Sequence, residues 1–230
     1  MFKEDVLKNL NITITDKQMK QFDEYFKYLI EYNQHTNLTR ITQEDEVYYK
    51  HFYDSLSISR LIDFTKVDSI CDMGSGAGFP SIPLKIVFPN LKVYIVDSLN
   101  KRINFLQNLI GILKLKDVNT FHNRAEVFAL KNQEKFDVVT ARALGALDLI
   151  AEMGIPMVKV GGYFIAMKGS RMDEEIDESE IIFKQLKVKV NKIDEFELPN
   201  GYGFRANILI QKKNHVQGFP RDYSKMTKDK

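Results

Sequence analysis

A strand-like run that opens into alternating glycines is the feature of this sequence with the clearest chemical meaning. The apolar run 68–73 leads directly into glycines at alternate positions of the segment 74–78, and a second apolar run, 93–96, ends on Asp97. Glycine lets the backbone come close to a ligand, because it has no Cβ and tolerates positive φ. An acidic residue at the end of the next strand can accept hydrogen bonds from a ribose diol. Together these features predict a site for a nucleotide-type cofactor.

The spacing of the glycines narrows the choice of cofactor. Dinucleotide sites use a G-x-G-x-x-G pattern and a helix whose first N–H groups point at a pyrophosphate. Here Gly74, Gly76 and Gly78 alternate, Phe79 stands where the last glycine would be needed, and the next helix begins with prolines that have no N–H to donate. A ligand without phosphates fits better. Asp72 followed by this loop resembles the S-adenosylmethionine pocket of class I methyltransferases.

Composition sets limits on the kind of protein. The 230 residues are 44% hydrophobic, which is enough for one full core with an extension. One cysteine rules out a disulfide framework, and four histidines leave too few ligands for a structural zinc site, so no metal is expected. The absence of a signal-peptide pattern and of any run of 18 apolar residues predicts a cytoplasmic protein with no membrane segment.

Periodicity divides the chain into three parts. After a helix start at Thr15-Asp16, apolar residues recur at helical spacing to about position 33, and a second helical segment follows from about 42 to 62. We therefore assign residues 1–64 to an N-terminal helical extension, 65–213 to the cofactor-binding domain and 214–230 to a basic tail. Substrate would lie between the extension and the domain.

Charge is unevenly distributed, although the formal net charge of +2 is too small to indicate nucleic-acid binding. From residue 212 onward the tail carries six lysines and arginines against Asp222 and Asp229, which fits either a phosphate-binding arm or a disordered, solubilising end. The acidic cluster between Asp173 and Glu180 is expected to be a solvated helix face.

Strand and helix patterns alternate from residue 68 onward, which is typical of right-handed βαβ crossovers. The predicted fold class is α/β: a doubly wound, seven-stranded, Rossmann-like sheet of the class I methyltransferase type, closed by an antiparallel hairpin, with the helical extension in front. Strands are predicted near 68–73, 92–97, 118–122, 136–140, 160–167, 187–196 and 204–212, and helices near 80–88, 100–113, 125–130, 145–156 and 172–185.

Basic residues cluster where the predicted strands end. Arg124, Arg142 and Lys168 follow strands three, four and five, and Arg205 opens strand seven. Ligands of open α/β sheets bind at the carboxyl ends of the strands. The planar guanidinium suits phosphates and the guanine edge better than the point charge of lysine. We expect these four residues to position the substrate, with none of them acting as a general base.

Several reactions are disfavoured by what the sequence lacks. Attack through a pyrimidine carbon needs a cysteine nucleophile, and the only cysteine, Cys71, falls inside the first predicted strand. The turn 140–143 lacks the Asn/Asp-Pro-Pro-aromatic pattern of enzymes that methylate exocyclic amines. His51, Asp54 and Ser55 lie too close on one helix to be assumed a hydrolase triad, and no G-x-S-x-G motif is present. Methylation of an atom with an exposed lone pair, such as guanine N7, remains, because it needs positioning rather than deprotonation.

The chain also resembles one known family in order along nearly its whole length. The motifs that carry this resemblance to the RsmG (GidB) family are Asn37-Leu38-Thr39, His51-x-x-Asp54-Ser55-Leu56, Asp72-x-Gly74-Ser75-Gly76-Ala77-Gly78-Phe79-Pro80, Asp97-Ser98-x-x-Lys101-Arg102, Arg124-Ala125-Glu126, Ala141-Arg142-Ala143, Lys168-Gly169 and Phe219-Pro220-Arg221. That family methylates N7 of a guanine in bacterial small-subunit (16S) ribosomal RNA. The resemblance implies S-adenosyl-L-methionine as cofactor and rRNA, within a ribosomal particle, as partner.

Site roles follow from the resemblance residue by residue. Gly74 and Phe79 would contact the cofactor, Ala125 and Glu126 would flank its adenine, and Arg142 would line the site. The remaining predicted cofactor residues are Asp72, Gly76, Gly78 and Asp97. Arg124, Lys168 and Arg205 match basic positions that meet RNA, whereas His51 and Asp54 would tie the extension to the domain. After Arg221 the sequence departs from the Gly-Thr-Pro stretch that is frequent in the family.

Two other functions share these features. A small-molecule methyltransferase would have the same cofactor pocket without a basic rim, so its activity would be nearly independent of salt. A non-catalytic RNA-binding assembly protein would bind RNA without the cofactor, so loss of cofactor binding would leave its function intact.

Overall fold

A seven-stranded sheet forms the centre of the molecule. The computed structural model describes residues 1–228, so Asp229 and Lys230 of the predicted tail lie outside the described residues. The strands run in the order β3-β2-β1-β4-β5-β7-β6, with β1 to β5 parallel and β7 antiparallel to both of its neighbours. They are β1 Ser69–Met73, β2 Lys92–Asp97, β3 Val118–His122, β4 Phe136–Arg142, β5 Val158–Lys168, β6 Val190–Glu197 and β7 Phe204–Gln211. This is the predicted doubly wound sheet with its terminal hairpin.

The register of the central strands brings the predicted site residues to one edge. Met73 of β1 pairs with Val96 of β2 and with Ala141 of β4, so the glycine loop, Asp97 and Arg142 begin side by side. Every residue of β1 is buried, as expected for a strand covered on both faces.

Helices cover both faces of the sheet. The α-helices are α1 Phe2–Leu10, α2 Asp16–Thr36, α3 Glu44–Val47, α4 Asp54–Leu56, α5 Ser81–Val87, α6 Asn100–Ile112, α7 Ala125–Lys131, α8 Leu147–Gly154, α9 Met172–Glu178, α10 Glu180–Gln185 and α11 Tyr223–Met226. A π-helical turn, Tyr48–Tyr53, joins α3 to α4, and 3₁₀ turns occupy Ser57–Arg60, Phe64–Lys66, Ile155–Met157 and Pro199–Gly201.

Two predicted boundaries differ from the structure for local reasons. The helix expected over 172–185 is divided at buried Ser179, whose hydroxyl donates to the carbonyl of Glu175 at 2.6 Å, a bond that often bends helices. Strand β6 begins three residues later than expected, because Lys187 takes a left-handed φ of 55° as the chain leaves α10.

The N-terminal helices share a core with the sheet. Helix α2 starts with a capping box between Thr15 and Gln18, and its buried stripe, Phe22, Tyr25 and Leu29, joins the same apolar cluster as Ile70 of β1. Residues 1–64 are thus continuous with the domain in their packing.

The described part of the tail packs on the opposite side of the sheet. Phe219 contacts the apolar cluster beneath α8, and Met226 of α11 is buried there. Arg221 donates from its backbone N–H and from Nε to the buried carboxylate of Glu152, at 3.0 and 2.8 Å. Residues 219–226 are therefore held against the domain and do not extend from it as a free arm.

Over residues 1–228, none of the helices has the length and apolar character needed to span a bilayer. In the same range, no three His, Cys, Asp or Glu side chains gather as a set of metal ligands. The thiol of Cys71 is buried in β1.

Candidate active site

A cleft of about 440 Å³ opens at the carboxyl ends of β4 and β5. The helical extension supplies one wall and the sheet domain the other. The lining residues are Ile41, Lys50, His51, Asp54, Arg142, Ala143, Met167, Lys168, Gly169, Glu175 and Arg205. Three of the four residues predicted to position the substrate lie in this cleft: Arg142, Lys168 and Arg205.

The glycine loop next to the cleft is shaped by backbone contacts. Gly74 donates its N–H to the carbonyl of Val96 at 2.8 Å, and its φ is 65°. A Cβ on Gly74 would lie 2.4 Å from Cδ1 of Leu144, so a larger residue cannot fit without displacing that side chain. Gly76, with a φ of 60°, would place a Cβ in open space. Gly76 is therefore the loop glycine beside which a ligand has room.

Helix α2 supports the loop from the opposite side. The buried hydroxyl of Tyr25 donates to the carbonyl of Ala77, and the Tyr25 ring stacks on Phe79 with centroids 5.5 Å apart. A Cβ on Gly78 would lie 2.8 Å from the Tyr25 hydroxyl and 2.7 Å from Cγ1 of Ile82. Gly78 thus faces packed protein. A side chain at this position would collide with Tyr25 and Ile82, which explains the glycine whether or not a ligand binds nearby. Tyr25 is a site residue that was not predicted, although it lies three residues after Phe22 on the same apolar stripe.

Asp97 is the organising carboxylate at the end of β2. Its side chain is buried; Oδ2 accepts from the N–H of Gly76 at 3.2 Å and pairs with Arg102 at 3.2 Å. Oδ1 accepts from the N–H of Leu99 at 2.9 Å. A carboxylate oxygen has two lone pairs, so Oδ1 retains the capacity to accept one further hydrogen bond.

Asp72 is buried at the start of the loop with an unusual protonation equilibrium. Its Oδ2 accepts from the N–H of Ser81 at 3.1 Å, whereas Oδ1 has no hydrogen-bond partner in the described part of the chain. Burial raises the pKa of Asp72 to about 7, because the desolvation of the carboxylate outweighs its contacts with Ser81. Oδ1 of Asp72 is therefore a buried acceptor that can bind a cationic hydrogen-bond donor of a ligand.

The raised pKa of Asp72 gives a testable dependence of stability on pH. Between about pH 4 and 7 the folded chain keeps a proton that the unfolded chain has lost, so this residue lowers the stability as the pH rises. We expect Asp72→Asn to raise the free energy of unfolding at pH 8 by roughly 2–4 kcal/mol and to change it little at pH 4. Urea unfolding of the ligand-free protein at both pH values measures this.

Asp137→Asn is the matched control with the opposite sign. Burial opposes ionisation there too, but contacts with Lys159 and Ser69 hold the pKa of Asp137 below its usual value. Its carboxylate therefore stabilises the fold at pH 8, and the variant should be less stable there. An equal loss of unfolding free energy in Asp72→Asn and Asp137→Asn at pH 8 would contradict the raised pKa assigned to Asp72.

Arg142 connects the sheet to the helical extension. One guanidinium nitrogen donates to Oδ2 of Asp54 at 2.9 Å and to the carbonyl of Lys50 at 3.2 Å, and the other lies 3.1 Å from Nδ1 of His51. The guanidinium carbon stands 5.0 Å from the centroid of the Phe79 ring. Four fixed contacts hold this side chain between the glycine loop and the cleft.

His51 connects its neighbours through hydrogen bonds and is not suited to act as a base. Desolvation and the charge of Arg142 lower the pKa of His51 to about 3. Because a guanidinium only donates, Nδ1 must accept from Arg142 and the ring proton is on Nε2, which lies 3.0 Å from Oγ1 of Thr39. Both ring nitrogens are thus occupied, and the ring stacks on Phe79 at 4.4 Å.

The remaining charges of the cleft occur in three ion pairs, one of which joins Lys50 Nζ to Oε1 of Glu46 at 2.5 Å. Arg205 Nε lies 3.2 Å from Oδ1 of Asp54, so that buried carboxylate is shared between two arginines. Lys168 Nζ donates to Oε2 of Glu175 at 2.6 Å and to the carbonyl of Gly145 at 2.7 Å.

Arg124 lies apart from the other predicted basic residues. It precedes α7 at the end of β3, three strands away from β4 in the sheet order, and its side chain is 57% exposed. Its guanidinium pairs with Glu126 and stacks over Tyr223 of the tail, 4.7 Å from the ring centroid. Ala125 and Glu126 therefore belong to the β2–β3 side of the edge, near Asp97, rather than to the cleft.

Glu175 corrects one expectation. The prediction that the acidic cluster is a solvated face is right for Asp173, Glu174 and Asp177, which are exposed, but wrong for Glu175, whose side chain is only 18% exposed and lines the cleft. Glu175 could not be singled out from the sequence, because its acidic neighbours are chemically alike.

Comparisons of the sequence with known proteins identify its family. Residues 18–201 match the family model described as "GidB: rRNA small subunit methyltransferase G". A protein named "Ribosomal RNA small subunit methyltransferase G" from Acholeplasma laidlawii is 55% identical over 214 residues, covering 93% of each chain. A protein of the same name from Staphylococcus carnosus is 48% identical over 219 residues, covering 94% of this chain and 91% of its own.

Solved structures share the fold. A SAM-dependent methyltransferase from Aquifex aeolicus superposes with a TM-score of 0.54 at 15% identity, over 76% of this chain and 97% of its own. TrmN from Thermus thermophilus gives a TM-score of 0.55 at 13% identity, over 72% and 53%. The sheet is thus that of class I methyltransferases, and the matches in sequence establish that the chain belongs to the GidB family, the rRNA small subunit methyltransferase G family.

Proposed function

We propose that this protein transfers a methyl group from S-adenosyl-L-methionine to N7 of a guanine in small-subunit ribosomal RNA. The observation that carries the proposal beyond family membership is the cationic cleft directly beside the glycine loop. With a substrate in ribosomal particles, the protein would act in the cytoplasm.

The residues around the loop fit the cofactor. The free Oδ1 of Asp72 is a buried acceptor suited to the ammonium of the methionine part. Gly76 leaves open space beside the loop, and Oδ1 of Asp97 can accept from a ribose hydroxyl. Ala125 and Glu126, next along the same edge, would flank the adenine. When bound, the cofactor supplies an electrophilic methyl group on a sulfonium.

The protein groups of the cleft suit a nucleophile that needs no deprotonation. His51 is neutral with both nitrogens occupied, and Asp54 is held by two arginines, so neither can serve as a general base. N7 of guanine already has a free lone pair, and the chain has only to hold it in line. Methylation moves the positive charge from the sulfonium to the base, so no protein group has to take a proton from N7 during the transfer.

Transfer of labelled methyl groups tests the proposal. The protein is incubated with labelled S-adenosylmethionine and with ribosomal particles or deproteinised rRNA from cells that lack the gene, and the product is mapped by mass spectrometry and by cleavage specific for 7-methylguanosine. Label at N7 of a single small-subunit guanine supports the proposal, and comparison of the two substrates shows which form is used. Cofactor binding without label in RNA would overturn it.

Salt dependence separates the RNA enzyme from a small-molecule methyltransferase. Phosphate contacts release counterions, so kcat/KM on RNA should fall steeply between 50 and 200 mM salt, by about 10-fold or more. Activity that is insensitive to salt would favour a small acceptor.

A further inference from the structure

The Lys168–Glu175 pair offers the cleft a donor and an acceptor side by side. Lys168 Nζ has three protons, of which two go to Oε2 of Glu175 and to the carbonyl of Gly145, leaving one for a ligand when partners are counted over residues 1–228. In the same count, Oε1 of Glu175 accepts no hydrogen bond, because both of its bonds are made by Oε2.

Both side chains are held in place. Oε2 of Glu175 accepts from the N–H of Leu147 at 2.8 Å as well as from Lys168 at 2.6 Å, so the carboxylate is fixed from two directions. The side chain of Lys168 is 10% exposed and that of Glu175 is 18% exposed, and both line the cleft. The unused donor and acceptor are thus preorganised, which lowers the entropy cost of binding a ligand.

The other carboxylate of the cleft cannot take this role. The side chain of Asp54 is 4% exposed: Oδ2 accepts from Arg142 at 2.9 Å, and Oδ1, 3.2 Å from Nε of Arg205, makes no hydrogen bond but is buried out of a ligand's reach. Lys50, Arg142 and Arg205 carry donors only. Among the described side chains of the cleft, Glu175 is therefore the carboxylate whose second oxygen a ligand can reach.

On the basis of the function proposed above, we infer that Lys168 and Glu175 read the Watson–Crick edge of the target guanine. Lys168 donates to O6, and Oε1 of Glu175 accepts from N1–H and from the 2-amino group. Adenine presents the reverse pattern at this edge, with an amino group opposite the ammonium and a lone pair opposite the carboxylate. The pair therefore selects guanine over adenine.

Sheet order agrees with this orientation. Lys168 ends β5, whereas the glycine loop follows β1, with β4 between them. In guanine, O6 lies between N1 and N7. Anchoring N1 and O6 at β5 therefore leaves N7 free to face β4 and the loop, the side from which a methyl group would come.

An enzyme–substrate double cycle tests the inference. Small-subunit RNA is prepared with either guanosine or inosine at the position mapped above; inosine keeps N7, O6 and N1–H but lacks the 2-amino group. Wild-type kcat/KM should be at least about 10-fold higher on guanosine, because inosine loses a hydrogen bond to a charged acceptor. In Glu175→Gln the reaction on guanosine should fall by about 10- to 100-fold and the preference should shrink to within about 2-fold.

Controls separate recognition from structure. Glu174→Gln removes the same charge from an exposed neighbour on α9 and should keep the wild-type preference. If Glu175→Gln slows both substrates equally, Glu175 has only a structural role and the inference is overturned. The inference also falls if the wild type does not distinguish inosine, a measurement that needs no variant. If the proposed function itself is wrong, the result differs: wild-type reactions on guanosine RNA will incorporate no label.

Discussion

Replacement of Arg142 by alanine is expected to lower kcat/KM for methyl transfer by about 10²- to 10³-fold, the usual cost of removing one fixed donor from an active site. The same change leaves the buried carboxylate of Asp54 paired with Arg205 alone and removes the donor to His51. Because the carbonyl of Lys50, Oδ2 of Asp54 and Nδ1 of His51 lose their donor together, the free energy of unfolding should fall by about 3 kcal/mol. Single-turnover kinetics and urea unfolding measure the two effects.

Arg142→Lys separates the two losses. An ammonium can restore the ion pair with Asp54, so most of the stability should return. It cannot reach Asp54, the carbonyl of Lys50 and Nδ1 of His51 together in the planar geometry of a guanidinium, so activity should stay at least about 10-fold below wild type. Recovery of activity in step with stability would show that Arg142 has only a structural role.

Removal of the Asp97 carboxylate is expected to weaken S-adenosylmethionine binding by about 100-fold or more, which is about 3 kcal/mol. Two effects combine in Asp97→Ala. The proposed ribose acceptor disappears, and the N–H of Gly76 and the N–H of Leu99 lose the partner that holds the loop in shape. Isothermal titration calorimetry with the cofactor product measures the affinity without any RNA.

Asp68→Ala is the matched control for Asp97, since Asp68 is an exposed carboxylate at the amino end of the same sheet, where it pairs with Lys92. The affinity of Asp68→Ala for the cofactor should stay within about 2-fold of wild type. The exposed ion pair contributes little to stability and lies at the edge of the sheet opposite the cofactor loop. Wild-type affinity in Asp97→Ala would remove Asp97 from the cofactor site. Unchanged methylation despite lost cofactor binding would be incompatible with an enzyme.

Local patterns were sufficient to predict the sheet and the cofactor loop. The runs at 68–73 and 92–97 are apolar because both faces of a central parallel strand are covered, and a glycine loop and an acid after such strands meet wherever the strands are adjacent. Boundaries were less predictable. Ser179 divides a helix through its own hydroxyl, and Lys187 turns the chain in a left-handed conformation that its residue type does not favour.

The sequence could not show which side chains contact one another in the folded protein. Lys168 was expected at the strand end, but its partner could not be told apart within an acidic cluster whose other members face water. Tyr25 was hidden in an apolar stripe, because only the approach of α2 to the loop brings its hydroxyl to Ala77. Arg124 looked equivalent to Arg142 along the chain, yet the strand order β3-β2-β1-β4 puts them on different sides of the edge.

The sequence by itself determined the class of sheet, the glycine loop with Asp97, and the family, because these depend on residue type and on spacing along one or two adjacent strands. Only the tertiary structure decided which charges neutralise one another. Arg142, Arg205 and Asp54 come from three segments far apart in the chain, and their ion pairs are set by where buried elements bring them within about 3 Å. Lys168 and Glu175 pair with each other in that packing, yet each keeps one hydrogen-bonding group without a partner among the described residues, and these groups are the ones available to a substrate.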